Sequence, residues 1–399
     1  MLSPAHVVSA LERKRDRLSA FDRLSSEERA RYGEALERLA GLDCDAVWRQ
    51  LGLIDRPGAR TTVERVAGEP VVRRFAQEWN HHGAARDWAL EVLRERTTVA
   101  VDGSEISPSR DYSIPVGAVQ VARFVNPHCA DDQYIKDIVF DILPPDELMD
   151  EANVDGFPDQ QVKLRRFALE CQLLTEEMER LAGREPLPVC FFDGSLVISF
   201  AANLPESLRR RYLAAITGLL HTSQDTGVPL VGYIDTSYAH DLVTMLHILF
   251  HPLPSEPGIG DAALLRGPGA QGSMGWGDRS EALVCARDDE LATKLSADER
   301  YYERVHFVYL KTTATNPPAR LDLPAWVLEA GLLEEVLDVV RAECVVGVGY
   351  PYAVETADAT AVITARDRER FYGILQEFVD RLGVELRYSR KALSKRGRR

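Results

Sequence analysis

The chain has 399 residues, 45% hydrophobic and 28% charged, with a formal net charge of −14. Such a composition describes a globular protein with one large domain and additions, or two to three domains. It excludes broad, sequence-independent wrapping of nucleic acid, which relies on Lys and Arg to neutralise phosphate. No apolar run reaches membrane-spanning length. Met1-Leu2-Ser3-Pro4-Ala5-His6 lacks the basic and apolar segments of a secretory signal, so a cytoplasmic protein is expected. Cys44, Cys129, Cys171, Cys190, Cys285 and Cys344 are dispersed without a CxxC pair, which argues against both a disulfide framework and a structural zinc site.

Residues 1–95 read as a helical region. Ser25-Ser26-Glu27-Glu28 is a helix start, and Leu36, Leu39, Val47 and Leu51 are among its apolar positions. His81-His82 falls on this segment. Adjacent helical residues point about 100° apart and chelate poorly, so a surface pair is expected. From Thr97 the pattern turns to strands. Thr97-Thr98-Val99-Ala100-Val101 leads into Asp102-Gly103-Ser104. Residues 114–124 and 135–143 give two further strands, and an acidic loop, 144–159, follows.

A helix over 160–182 places Leu164, Phe167, Ala168, Cys171, Leu174, Met178 and Leu181 on one stripe. Glu176 points away from it. Glu170 lies at the edge of the buried face, with Glu177 on the same edge further along. Then Pro186-Leu187-Pro188-Val189-Cys190-Phe191-Phe192 reads as a buried strand running into Asp193-Gly194-Ser195, nearly the pattern at Asp102, and strand character is expected to continue through Phe200. Asp-Gly is also an ordinary turn signal. Two carboxylates at the exits of two buried strands nevertheless suggest a divalent-metal site, because the sheet holds each acid rigidly while its oxygens face an opening. Glu170 is the preferred third ligand, with Glu177 in reserve.

A helix over 206–224 and a third strand, Val228–Ile234, end at Asp235-Thr236-Ser237. His247 and His251 have zinc-like spacing but lack an HExxH glutamate, and Pro252 ends their helix, so a structural role is expected. Residues 252–280 are rich in Gly and Pro and read as a long excursion. No phosphate-binding GxxxxGK[ST] loop is present, so ATP-driven work would have to come from another protein. Strand character returns at Val305–Leu310. Ala319–Trp326 leads into a helix ending near Glu343, and helices are read over 355–363 and 367–381. The chain closes on a basic tail, 389–399.

Taken in order, Asp102-Gly103-Ser104-Glu105-Ile106 with Arg110, the helix carrying Glu170, Asp193-Gly194-Ser195-Leu196, Val231-Gly232-Tyr233-Ile234, Arg320-Leu321-Asp322-Leu323-Pro324 with Trp326, and Tyr350-Pro351 before an Ala-rich helix resemble the NurA nuclease family. The resemblance implies an α/β fold with an RNase H-like core, a mixed central sheet flanked by helices, and a homodimer. It also implies a manganese- or magnesium-dependent DNA nuclease, acting 5′→3′ from ends and cutting single strands internally, with the hexameric ATPase HerA as partner in DNA end processing, repair or defence. The segments expected are an N-terminal helical region (1–95), the first part of the core (96–250), the excursion (251–304), the rest of the core (305–388) and the tail. Asp102, Glu170 and Asp193 match the family's metal ligands, for two ions, and Tyr350 its active-site tyrosine. Where the family has a histidine eight residues after that tyrosine, this chain has Asp358, which still suits a hard cation. Arg110 and Arg320 are candidate contacts to DNA phosphate, with structural ion pairs as the alternative. An Asp at position 358 also keeps open an inactive adaptor that binds DNA and caps the ATPase. A different metal hydrolase, such as a phosphatase, is a further alternative.

Overall fold

The computed structural model describes residues 2–149, 158–253, 258–266, 274–296 and 299–383. The basic tail and much of the Gly/Pro-rich excursion lie outside them. The chain forms two compact units, each assembled from non-adjacent stretches: residues 1–78 with 234–325, and residues 79–233 with 326–399.

In chain order, the first unit opens with α1 (Pro4–Glu12), α2 (Arg15–Ala40), α3 (Cys44–Leu51), β1 (Gly58–Thr61) and β2 (Val72–Arg73). The second unit contributes α4 (His82–Leu93), β3 (Thr98–Ile106), β4 (Gly117–Asn126), β5 (Ile135–Leu143), α5 (Pro145–Leu148), α6 (Asp159–Leu181), β6 (Val189–Asp193), α7 (Glu206–Thr226) and β7 (Leu230–Ile234). Next come α8 (Asp241–Leu249), α9 (Asp261–Arg266), β8 (Arg279–Ser280), β9 (Leu283–Ala286), α10 (Glu290–Lys294), β10 (Val305–Leu310) and β11 (Ala319–Pro324) of the first unit. The chain then runs through α11 (Ala325–Glu329), α12 (Leu333–Val346), α13 (Tyr352–Ala361) and α14 (Ala365–Arg381).

The second unit carries the strands in the order β5-β4-β3-β6-β7. The β3–β4 and β4–β5 pairs are antiparallel, whereas β3–β6 and β6–β7 are parallel. Parallel neighbours need a crossover, and α6 and α7 fill that role ahead of β6 and β7. Three antiparallel strands followed by two parallel ones is the RNase H-like arrangement, and the expected mixed α/β core is present. Val99, Val189, Cys190, Phe191, Leu230 and Val231 are fully buried, as befits strands covered on both faces.

In the first unit the strands pair antiparallel throughout: β1 on β9, β9 and β8 on β10, β10 on β11, and β2 on β8. The N-terminal stretch is therefore not wholly helical, since β1 and β2 lie within it. Ser25 and Ser26 fall inside α2 rather than at its start. His81 caps α4, its ring accepting from the Ala84 amide. Beyond Asp193 the expected strand gives way to a 3-10 turn over Ser199–Asn203. The described part of the excursion contains α9 and β8. No helix among the described residues is long and apolar enough to cross a membrane.

Candidate active site

The site grows from the place where β3 and β6 part. Their parallel register runs from Thr98 opposite Val189 to Val101 opposite Phe192. Asp102 and Asp193 are the next positions on strands about 4.8 Å apart, and side chains at matching levels share a face. β6 ends at Asp193, where Gly194 takes φ +133°, a conformation that L side chains rarely adopt. β3 does not end at Val101 as the sequence suggested. It continues to Ile106 on the β4 side alone, with Asp102 opposite Ala122. Asp102 thus marks the end of the two-sided pairing, and the edge of β3 beyond it is open toward the β6 side.

Gly103 is consequently a strand residue rather than a turn. A Cβ there would come within 2.6 Å of Glu170 Oε1 and 2.9 Å of Arg166 Cγ. The missing side chain is what admits the α6 carboxylate to the strand. Glu170 is buried, and so are Leu164, Phe167, Cys171, Leu174, Met178 and Leu181 of the predicted stripe. Arg166, one turn earlier on α6, brings Nη1 to 2.6 Å from Glu170 Oε1, and its Nε lies 2.7 Å from Glu105 Oε2. Glu177 is not available in reserve, because Arg123 at 2.8 Å and Arg180 at 2.5 Å already take its oxygens. Glu176 is exposed, as its place on the helix predicts.

Alternation along β3 turns Asp102 away from Gly103, toward the face where Thr98 donates to Glu343 of α12 at 2.8 Å. Glu343 is fully buried and also accepts from the Ala353 amide at 2.8 Å in the first turn of α13. One carboxylate thereby ties β3, α12 and α13 together. His128, 3.6 Å from Glu343, offsets part of the burial that raises this acid's pKa. Asp358 sits exposed on α13. Just before that helix, Tyr350 donates its hydroxyl to Asp193 Oδ1 at 3.1 Å, and its ring meets Tyr233 edge to face at 5.0 Å.

The acids feel one another. Burial raises Asp102 to about 6; an accepted hydrogen bond from the Gly103 amide lowers it, and the charges of Asp193 and Asp358 raise it further. Burial pushes Glu170 up to about 8, against the pull of Arg166 and with a further rise from Asp102 and Asp193. Asp193 is raised by desolvation and by Asp358, while the Tyr350 hydrogen bond lowers it. Asp102, Glu105, Glu170, Asp193 and Asp358 are five carboxyl groups against the single guanidinium of Arg166, so acids outnumber cations in the cluster. Among the described residues, no three His, Cys, Asp or Glu side chains stand ready as a metal cage. Glu170 is drawn to Arg166 instead.

The remaining candidates separate clearly. Arg110 is exposed in the turn after β3. Arg320 is 2% exposed in the first unit, where it donates to Asp322 at 2.7 Å and Asp241 at 2.5 Å. The phosphate contact expected of Arg320 does not fit that burial, and the ion pair named as the alternative is what forms. His247 and His251 meet edge to face with ring centres 6.0 Å apart. Sequence reasoning did not single out Arg166. Its i, i+4 spacing to Glu170 was the signal that could have found it.

The chain was compared with known proteins. The chain is similar to a crystal structure of NurA with manganese, at 13% identity over 72% of this chain and 90% of that one, with a TM-score of 0.42. A crystal structure of NurA bound to dAMP and manganese is similar at 13% identity over 68% and 85%, with a TM-score of 0.33. The catalytic domain of human endonuclease V is similar at 15% identity over 76% and 92%, with a TM-score of 0.31. No curated protein matches. The NurA domain model matches residues 96–363, well over half the chain, and on that match the protein belongs to the NurA family.

Proposed function

We propose that this protein is a divalent-metal-dependent deoxyribonuclease, digesting DNA from 5′ ends and cutting single strands, as a homodimer fed by a HerA-type hexameric ATPase. The observation that carries the reading is the pair Asp102 and Asp193, at matching levels where two adjacent parallel strands part. Both acids are held above their ordinary range by burial and by neighbouring carboxylates. A cation would relieve that surplus charge. The donors are carboxylate oxygens throughout, which suits Mn²⁺ or Mg²⁺ better than a softer ion.

Asp102 and Asp193 would hold the metal from the sheet, Glu170 from α6 and Asp358 from α13. Bound there, two ions would neutralise charge at phosphorus and assist both the attacking and the leaving oxygen. Tyr350 fixes one oxygen of Asp193 through its hydroxyl, leaving the other for a ligand. Glu343 holds the start of α13, and with it the helix that presents Asp358. Arg110, exposed beyond β3, would contact DNA phosphate. The family match, rather than any surface feature, supports the HerA partner and the homodimer.

The test is direct. Purified protein is incubated with labelled single- and double-stranded DNA, with Mn²⁺ or Mg²⁺, then with EDTA. Cleavage that needs metal and is lost in Asp102→Asn and Asp193→Asn supports the reading, whereas cleavage by those variants means that the site is misplaced. DNA binding without cleavage would favour the adaptor reading that Asp358, in place of the family's histidine, keeps open.

A further inference from the structure

Arg166 is poorly explained as an ordinary ion pair on a helix surface. Its Nη1 donates to Glu170 Oε1 at 2.6 Å and only weakly to the Gly103 carbonyl at 3.4 Å. Its Nε is buried and lies 2.7 Å from Glu105 Oε2, yet makes no well-directed hydrogen bond. Nη2 has no hydrogen-bond partner among the described residues, and the side chain is 29% exposed. The side chain is thus partly open to solvent with part of its fork unused, beside a cluster of carboxyl groups. A planar fork of this kind suits two oxygens of one phosphate.

Its partner is shared. Glu170 Oε1 is the oxygen Arg166 holds and also the oxygen nearest Gly103 on β3. A carboxylate oxygen bound closely to a guanidinium cannot also be an inner ligand of a divalent cation without setting two positive charges side by side. Glu105 would keep Arg166 at the site once Glu170 turned to other use.

We propose that Arg166 binds a DNA phosphate at this site and that Glu170 restrains it until that carboxylate is taken by a cation. The inference rests on the nuclease reading above and deepens it. Metal and DNA then reinforce each other through a single side chain, since whatever draws Glu170 away from Arg166 frees the fork for phosphate.

Two binding measurements test this without reference to turnover. The first is Mn²⁺ affinity in the absence of DNA, read by calorimetry or by electron paramagnetic resonance. Arg166→Gln should bind Mn²⁺ more tightly, because the competitor for Glu170 is gone. The second is the affinity of a short labelled single-stranded oligonucleotide in the presence of Ca²⁺, read by anisotropy across a salt series. Arg166→Gln should bind it about tenfold more weakly, and the slope of log affinity against log salt should shrink by about 0.7, the value for one phosphate contact on a single strand. Arg166→Lys keeps the charge but not the fork, so it should hold wild-type Mn²⁺ affinity and lose oligonucleotide affinity. That comparison still decides the matter if the Gln variant folds poorly. Unchanged or weaker Mn²⁺ binding in Arg166→Gln with an unchanged salt slope overturns the inference, as does full oligonucleotide affinity in Arg166→Lys. Wild-type protein that binds neither probe removes the nuclease reading and this inference together. If wild-type protein binds both and the variants match it, only this inference is removed.

Discussion

Two clusters of charge, one in each unit, show how a scaffold differs from a candidate site. In the first unit Asp241 is held by Arg287 at 2.6 Å and Arg320 at 2.5 Å, and Arg320 also reaches Asp322 at 2.7 Å. Burial alone would raise Asp241, yet the two guanidinium groups outweigh it and bring the acid down to about 2. At the ends of β3 and β6 the balance is reversed. Five carboxyl groups share one arginine, and Asp102 rises to about 6. Charge inside the scaffold is paired or, as at Asp261, which burial and Asp241 raise to about 6, held by two amides and the Tyr309 hydroxyl, whereas uncompensated charge of one sign is tolerated where a ligand supplies the rest.

The largest effect expected from this contrast is on activity. Asp102→Asn or Asp193→Asn should cut Mn²⁺-dependent cleavage of a labelled oligonucleotide by roughly a thousandfold, the scale of losing an electrostatic partner of the transition state. The same variants should melt in EDTA no earlier than wild type, because each removes a repelled charge. Unfolding at clearly lower temperature would mean that Asp102 and Asp193 belong to the scaffold after all.

Next in size is the mirror experiment. Arg320→Met leaves Asp241 and Asp322 short of a partner in a dry interior, which typically costs about 3–5 kcal/mol. Denaturant unfolding should report that loss. A variant as stable as wild type would show that Arg287 alone suffices for Asp241, and the two clusters would then differ less than their charge balance suggests.

The contrast also explains what could be read from sequence. Short apolar runs ending in Asp-Gly identify strands whose acids lie at openings, so Asp102 and Asp193 were legible as a pair. The helical stripe of α6 set Glu170 beside the buried face, and the structure buries it against Gly103 of β3, because a buried face fixes the side chains along it. What stayed hidden depends on contacts between distant segments. Gly103 looks like a turn until α6 is seen against it, and Arg320 looks like an exposed cation until Asp241, far along the chain, closes on it. The Glu343 link between β3, α12 and α13 joins Thr98 and Ala353, positions that no periodicity connects. Short strands inside the N-terminal region were missed for a related reason: β1 is only four residues long and is sheltered by tertiary packing rather than by a pattern of its own.

Acidity should separate Asp102 from Asp241 again, more modestly. An acid raised in the folded protein binds protons there more tightly than in the unfolded chain, so stability falls as pH climbs from the unfolded value to the folded one. For Asp102 that window is about pH 4 to 6. Asp241 is depressed, so its contribution is present above about pH 4 and is lost as pH falls toward 2. In EDTA, Asp102→Asn should remove a decline of about 1–2 kcal/mol between pH 4 and 6 while leaving the acid-side loss untouched. Asp261, raised to about 6 as well, keeps its own share of the decline in both proteins, so a variant whose decline equals that of wild type would assign all of it to other groups.

The smallest effect tests how finely the site is adjusted. Tyr350 donates to Asp193 at 3.1 Å and is one of the forces lowering that acid, against burial and Asp358. Tyr350→Phe keeps the ring against Tyr233 but removes the donor. The bond is long and its carboxylate partner is exposed, so it is worth about 0.5–1.5 kcal/mol and cleavage should drop only about threefold to tenfold. The sign of the pH shift is the sharper readout. Without the hydroxyl, Asp193 holds its proton to higher pH, so the acid limb of the rate profile should move upward while the plateau stays near its wild-type position. A uniform loss at every pH would make Tyr350 a contact to DNA rather than a support for Asp193. An unchanged profile would leave it a tyrosine packed beside the site.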